Sequence, residues 1–128
     1  MCLIRRAKHK VIPLVPTIFK TMKPILIYCT FPDTVTAQET ASAVIGAKLA
    51  ACANIFPAHI SLYEWQGDVK NEEEVAVIFK STDAQFAALK AAILDKHPYE
   101  TPCIVALPIT DGHAPFLEWV AAQSSSDI

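Results

Sequence analysis

The 128-residue sequence predicts an α+β fold, a βαββαβ sandwich with an extended hairpin and a C-terminal helix. Three observations carry this prediction. A continuous apolar run at 24–31 is typical of a buried strand. Two segments with apolar residues at helical spacing each follow an aspartate, and aspartate is a favoured helix N-cap. A Gly-Asp pair between two β-rich segments marks a hairpin turn.

The first three elements are predicted to be a strand, a helix and a second strand. The first strand covers Pro24–Phe31, whose residues PILIYCTF are almost all apolar. Asp33 is the expected N-cap of a helix from 34 to about 52. A long strand is expected over 54–66, because apolar and polar residues alternate there. The apolar positions of the helix follow one face: Ala37, Ala41, Val44, Ile45, Leu49 and Cys52.

The hairpin and the third strand follow. Gly67 and Asp68 are expected to turn the chain back on itself. The returning segment becomes a strand at 75–79 that ends at Lys80. The acidic run Glu72–Glu74 before it is interpreted as a solvated face of the hairpin.

The last part of the chain is predicted to contain a helix, a strand and a further helix. Asp83 is expected to cap the second helix. This helix ends at His97, because the residue before Pro98 disfavours helical backbone. A fourth strand is expected at 102–109, and Pro115 is suited to the first position of a short last helix.

The element order β-α-β-β-α-β is the split βαβ pattern of ferredoxin-like folds. Right-handed crossovers place the first strand between the third and the fourth, antiparallel to the fourth. The end of the first strand and the start of the fourth therefore lie side by side, next to the end of the second helix. This topology predicts that five chemically active residues cluster at one end of the sheet: Cys29, His97, Tyr99, Glu100 and Cys103.

The predicted cluster contains two thiols and an imidazole. Such soft ligands favour Cu(I), or zinc if a fourth ligand is present. The candidate metal ligands are therefore Cys29, His97 and Cys103. Structural roles are the alternative, because a cysteine in an apolar strand is often a core residue and a histidine at a helix end suits the helix dipole.

Aromatic residues are concentrated in the predicted hairpin, the loops and the last helix. Tyrosine and tryptophan bury a large area and keep a polar group, so they are enriched at interfaces. Packing in the core is the alternative interpretation. These residues are Tyr63, Trp65, Tyr99, Phe116 and Trp119.

Charge divides the chain into two parts. Residues 1–21 contain five basic residues and no acidic one, whereas all 13 acidic residues lie in 22–128. We interpret 1–21 as a basic N-terminal extension, either disordered or the product of an upstream start codon with Met22 as the working start. We interpret 22–128 as a single domain. An acidic domain without arginine is a poor partner for nucleic acid but tolerates metal cations.

The composition is unusually apolar for a small domain. Hydrophobic residues make up 52% of the chain and charged residues 19%, which excludes intrinsic disorder of the domain. No apolar run reaches the ~18 residues of a membrane span, so no membrane partner is expected. Since a small domain has much surface, the apolar excess suggests burial against another subunit.

Several short motifs, in order along the chain, resemble the CutA family of divalent-cation tolerance proteins. Together they cover about residues 24–122. They are Cys29-Thr30 followed by Pro32-Asp33, LAACANIFP at 49–57, SLYEWQG at 61–67, the strand end at Lys80, HPYETP at 97–102, LPITDG at 107–112 and FLEW at 116–119.

The resemblance implies a ferredoxin-like homotrimer, related in architecture to PII signalling proteins, whose long hairpin reaches a neighbouring subunit. It implies a role in tolerance of copper and other divalent metals, with Cys29 and His97 as copper ligands. Two positions depart from the family pattern. A second histidine of the family's site is Lys96 here, and the acidic residue after the motif's second proline is Cys103 here. The change at Cys103 adds a thiol to a soft site.

The leading hypothesis is a cytoplasmic homotrimer that binds copper or other divalent ions, takes part in the response to metal ions, and is not an enzyme. The alternative is a PII-like signalling module that binds a small ligand at subunit clefts and has no direct metal role. The predicted cleft and interface residues are Tyr63, Trp65, Lys80, Tyr99, Glu100 and Trp119.

Two further alternatives remain open from the sequence. An enzyme with a cysteine nucleophile would use Cys29 as thiolate and His97 as base, and would require a lowered thiol pKa. No orienting acid or glycine-rich oxyanion loop accompanies this pair. A purely structural role for a very stable trimer is the second alternative.

Overall fold

The computed structural model of the protein describes residues 22–125. The predicted extension at 1–21 lies outside the described residues. The described residues form five strands and three α-helices: β1 (Pro24–Phe31), α1 (Thr34–Gly46), β2 (Cys52–Ile55), β3 (His59–Trp65), β4 (Asp68–Thr82), α2 (Phe86–Lys96), β5 (Ile104–Pro108) and α3 (Ala114–Gln123). This is the predicted α+β order with an extended hairpin.

The main sheet has the strand order β2-β4-β1-β5, and all neighbouring strands are antiparallel. The predicted position of β1 between the third and fourth main strands is confirmed. Cys29 on β1 is opposite Val77 on β4 and Ile104 on β5. Strand β3 pairs with the first half of β4, from His59 opposite Glu74 to Trp65 opposite Asp68.

The core lies between one face of this sheet and helices α1 and α2. Alternate residues of β1 and β4 point into it, because successive side chains of a strand face opposite sides. Full burial of one such aliphatic or aromatic side chain stabilises the fold by about 1.5–3 kcal/mol. The largest fully buried residues are Phe31, Phe79, Ile27, Leu89, Ile93 and Val44.

Helix α1 is shorter than the sequence predicts. It begins at Thr34, where Asp33 accepts a hydrogen bond from the Thr36 amide at 2.7 Å. It ends at Gly46 rather than near Cys52, because Lys48 adopts a positive φ of 64° and reverses the chain. The amide of Leu49 then donates to the carbonyl of Val44 at 3.1 Å. Cys52 belongs to β2, so its helical spacing was misleading.

The long strand predicted at 54–66 is also wrong. Phe56, Pro57 and Ala58 separate β2 from β3. Proline has no amide proton for a strand ladder, so pairing stops there. The separation lets β2 join the main sheet while β3 forms the hairpin with β4.

Three further element boundaries differ from the prediction. Strand β4 is longer than predicted, since pairing with β3 extends it back to Asp68, and the turn therefore lies at Gln66 and Gly67 rather than at Gly67 and Asp68. Asp83 does not cap α2, which follows a 3-10 turn at Asp83–Gln85. The carboxylate of Asp83 instead accepts a hydrogen bond from the amide of Lys23 at 3.1 Å. Strand β5 is shorter than predicted, and α3 carries a proline in its first turn, as expected.

Candidate functional site

The end of β1, the start of β5 and the segment after α2 meet at one end of the sheet. The imidazole Nε2 of His97 is 2.6 Å from the carbonyl oxygen of Thr30, the residue after Cys29. Tyr99 packs against His97 with ring centroids 4.7 Å apart. The topology therefore brings together the segments that the sequence analysis expected to meet.

His97 holds this end of the sheet together. A carbonyl only accepts hydrogen bonds, so Nε2 carries the proton and donates to Thr30. The Nδ1 atom accepts from the amide of Tyr99 at 3.2 Å. The ring also stacks on Phe31, with centroids 4.8 Å apart. Both ring nitrogens of this buried side chain are thus engaged, and metal ligation would cost one of these bonds.

Cys29 is part of the hydrophobic core and is fully buried. Burial, with smaller contributions from Cys103 and Glu74, raises the pKa of its thiol to about 12. Cys29 is therefore a protonated thiol at neutral pH. A cysteine nucleophile needs the opposite shift, so the geometry gives no support to the enzyme alternative.

Cys103 is exposed, unlike Cys29. Partial burial and the nearby charge of Glu74 raise the pKa of its thiol. Within residues 22–125, no three histidine, cysteine, aspartate or glutamate side chains stand close enough to hold a metal ion. Cys29, His97 and Cys103 form no such group in this part of the chain, and their role as metal ligands stays a prediction.

A cleft of about 390 Å³ opens beside Cys103. Strand β3 and the segment after α2 contribute aromatic rings to it, and β4 contributes two carboxylates. Among the described residues that line it, none is basic. The lining residues are Thr30, Tyr63, Trp65, Glu72, Glu74, Tyr99, Glu100, Thr101 and Cys103.

A hydrogen bond between a phenol and a carboxylate joins the two walls of this cleft. The hydroxyl of Tyr99 donates to Oε2 of Glu74 at 2.8 Å. Burial and this bond raise the pKa of Tyr99. The neighbouring carboxylate of Glu72 raises the pKa of Tyr63 in the same direction. Both phenols therefore remain neutral donors at physiological pH.

The acidic run on β4 is not the uniformly solvated face that the sequence suggested. Glu72 and Glu73 are exposed, but Glu74 is only 9% exposed. The hairpin register carries a signal that sequence reasoning missed. Counting back from the Gly67 turn pairs Ser61 with Glu72 and His59 with Glu74, which puts the two carboxylates on the same face as Tyr63 and Trp65.

Two predicted cleft residues lie elsewhere. The ammonium of Lys80 donates to Oδ1 of Asn54 at 2.6 Å, and burial lowers its pKa. Trp119 is on α3, where its ring centroid lies 5.8 Å from that of Phe116. Tyr63, Trp65, Tyr99 and Glu100 do line the cleft.

The chain matches the family model for the CutA1 divalent ion tolerance protein over residues 25–123. The chain belongs to the CutA1 family. The match runs from β1 to the end of α3 and so includes every element that forms the cleft. The resemblance seen in the short motifs is confirmed.

Relatives in this family share much of the sequence. The divalent-cation tolerance protein CutA of Escherichia coli strain K12 / DH10B is 42% identical over 99 residues, which covers 77% of this chain and 88% of the relative. The same identity is found for the CutA protein of Shigella boydii serotype 18.

Solved CutA structures share the fold. CutA1 from Oryza sativa superposes with a TM-score of 0.80 at 34% identity, covering 84% of this chain and 98% of that one. CutA1 from the psychrotrophic bacterium Shewanella sp. SIB1 superposes with a TM-score of 0.79 at 36% identity, covering 81% of this chain and 97% of that one. A protein from Archaeoglobus fulgidus described as a periplasmic divalent cation tolerance protein superposes with a TM-score of 0.77 at 35% identity, covering 80% of this chain and 99% of that one.

Within residues 22–125, none of the helices combines the length and the apolar character that crossing a membrane requires.

Proposed function

We propose that this CutA1 family member is a homotrimer that takes part in tolerance to divalent cations by binding copper or other divalent ions in the cleft beside Cys103. Family membership supports the role in cation tolerance. The location of the ion within the chain is our inference from the composition of the cleft.

The observation that carries the proposal is the donor set of the cleft. A thiol at Cys103 and carboxylates at Glu74 and Glu100 line one concave surface that has no basic residue among its described lining. Thiolate favours copper and zinc, and carboxylate adds negative charge. Because three such donors are not yet at coordination distance, we expect an ion to draw Cys103 and Glu100 towards Glu74.

This assignment changes the roles of two predicted ligands. Cys29 is buried and protonated, and His97 has both ring nitrogens in hydrogen bonds. We propose that Cys29 and His97 do not bind the ion and instead support the residues that do. His97 holds the segment that carries Tyr99 and Cys103 in place through its hydrogen bonds. Cys103, which replaces the acidic residue of the family pattern, then becomes the principal ligand.

Assembly into a trimer is supported by uncovered apolar surface. Strand β5 pairs only with β1 within the described sheet, so its outer edge is unpaired, and an unpaired edge invites pairing with another chain. Val105 and Leu107 on this strand are each almost half exposed. Further exposed apolar residues lie on the hairpin: Ile60, Leu62 and Val69. Exposed apolar side chains on an unpaired strand edge and on a hairpin are suited to contact with another chain.

The metal proposal is tested by titrating the reduced full-length protein with Zn²⁺, and with Cu(I) under anaerobic conditions, against a competing chelator. We expect Cys103→Ser and Glu74→Gln each to lower the affinity about tenfold or more, as loss of a ligand does. Glu39→Gln is the matched control, because Glu39 is an exposed carboxylate on α1.

The pH dependence supplies a second readout. The pKa of the Cys103 thiol is raised, so the ion must displace a proton, and affinity should increase as the pH increases from 6 to about 8. Cys103→Ser should weaken this dependence. Equal affinity in wild type, Cys103→Ser and Glu74→Gln would overturn the proposed location of the ion.

A second candidate function is binding of a small ligand in the same cleft, without a direct metal role. The three aromatic rings that line the cleft favour this candidate, because ligand pockets combine apolar walls with a few polar groups. We expect a binding function rather than catalysis in either case. A cytoplasmic location remains a prediction.

A further inference from the structure

We propose that the cleft between the hairpin and the segment after α2 binds an organic ammonium ion, the cation being held by aromatic rings and carboxylates together. The proposal does not depend on the metal assignment. It concerns the wall of the cleft formed by β3, β4 and Tyr99, and it names a ligand class that a metal site would not select.

The aromatic component comes from two elements. Tyr63 and Trp65 are two residues apart on β3, so their side chains leave the same face of the strand. Tyr99 reaches the same cleft from the segment after α2. Tyr63 is 39% exposed and Trp65 is 46% exposed, so these rings are accessible in the subunit. The faces of such rings attract cations within about 6 Å of their centroids.

The anionic component is centred on a buried carboxylate. Glu74 is 9% exposed, and its hydrogen-bond partner is the neutral hydroxyl of Tyr99. Among the described residues that line the cleft, none supplies a positive charge to Glu74. A buried charge without a charged partner is costly. A bound cation would provide the missing partner, and Glu72 and Glu100 increase the negative potential around it.

The dimensions of the cleft leave room for an organic cation along this wall. A volume of about 390 Å³ is in the range of small-molecule sites and exceeds the space that one metal ion occupies. The rings can make apolar contacts with the alkyl groups on the nitrogen of an organic ammonium ion. A metal ion has no such groups. Quaternary ammonium groups are recognised by this combination of aromatic faces and nearby negative charge.

The test compares choline with 3,3-dimethylbutan-1-ol, a neutral molecule of the same shape, by isothermal titration calorimetry on the full-length protein. We expect choline to bind and the neutral molecule to bind at least about fivefold more weakly. Trp65→Leu and Glu74→Gln should each weaken choline binding about fivefold or more. Trp119→Leu, which removes a tryptophan on α3 outside the cleft, should leave the affinity unchanged.

Variants also separate this proposal from the metal site. Cys103→Ser should weaken Zn²⁺ binding and keep choline binding, whereas Trp65→Leu should weaken choline binding and keep Zn²⁺ binding. Trp65 is exposed, so its substitution leaves the core intact, and circular dichroism checks the fold of each variant. Equal binding of choline and its neutral counterpart, unchanged binding by Trp65→Leu, or no choline binding at about 10 mM would overturn the proposal.

Discussion

The hydrogen bond from Tyr99 to Glu74 joins the two sides of the cleft. Tyr99 belongs to the segment after α2, and Glu74 belongs to β4, so the bond connects residues 25 positions apart. The neutral phenol stabilises a carboxylate that is largely withdrawn from water. The sequence predicted that Tyr99 would join the cluster. It could not predict the burial of Glu74, because that burial depends on a partner from a distant segment.

Replacing Tyr99 with phenylalanine should destabilise the protein. The substitution removes one hydroxyl and leaves the buried Glu74 without its donor, which should lower the free energy of unfolding by about 1–3 kcal/mol. Tyr63→Phe is the control, since the carboxylate near Tyr63 is the exposed Glu72, which water can solvate when the hydroxyl is removed. Urea unfolding at one fixed protein concentration measures both variants. Equal unfolding midpoints for the two variants would refute this role for Tyr99.

At the scale of elements, the β3–β4 hairpin determines which residues reach the cleft. Its turn has positive φ at Gln66 and at Gly67, 52° and 86°, the pattern of a two-residue turn that fits the twist of the strands. The sequence predicted a turn at Gly67 and Asp68, one residue later than the turn that forms. The turn at Gln66 and Gly67 fixes the register up to Glu74. The end of α1 was not predictable in this way, because Leu49 and Cys52 keep helical spacing across the reversal at Lys48.

Two glycine substitutions separate conformational strain from simple loss of flexibility. Gly67→Ala puts a side chain at a φ of 86° with no atom within 4 Å of the new Cβ. Backbone strain alone should then cost about 1 kcal/mol. Gly46→Ala also meets no atom, but its φ is not positive and it ends α1. It should stabilise the protein by a few tenths to about 1 kcal/mol. Thermal unfolding should therefore shift in opposite directions, and a shift in the same direction would contradict the turn geometry.

At the scale of the whole molecule, topology was the most predictable property. The order of strands and helices was sufficient to place β1 between β4 and β5, because right-handed crossovers leave few arrangements. The same argument brought His97 to the end of β1. Whether three ligands reach coordination distance depends on side-chain conformations and burial. Those follow from packing rather than from element order, so element order alone does not predict whether Cys29, His97 and Cys103 reach coordination distance.

The unpaired edge of the sheet connects the fold to the proposed assembly. Leu107 on β5 lies opposite Leu26 on β1, and Val105 lies opposite Tyr28. These pairs extend an apolar surface from the sheet to its edge. The apolar composition suggested that part of the surface is buried against another subunit. The exposed apolar side chains of β5 and the hairpin are where we expect that contact.

Native mass spectrometry of the reduced full-length protein would show whether it forms a cation-binding trimer. Spectra would be recorded with and without Zn²⁺ for the wild type, for Cys103→Ser and for Leu107→Lys, which places a charge on the apolar edge. We expect a trimer that gains one ion per subunit, a Cys103→Ser trimer that gains fewer ions, and a dissociated Leu107→Lys. A wild-type protein that is monomeric, or a trimer that takes up no ion, would contradict this expectation.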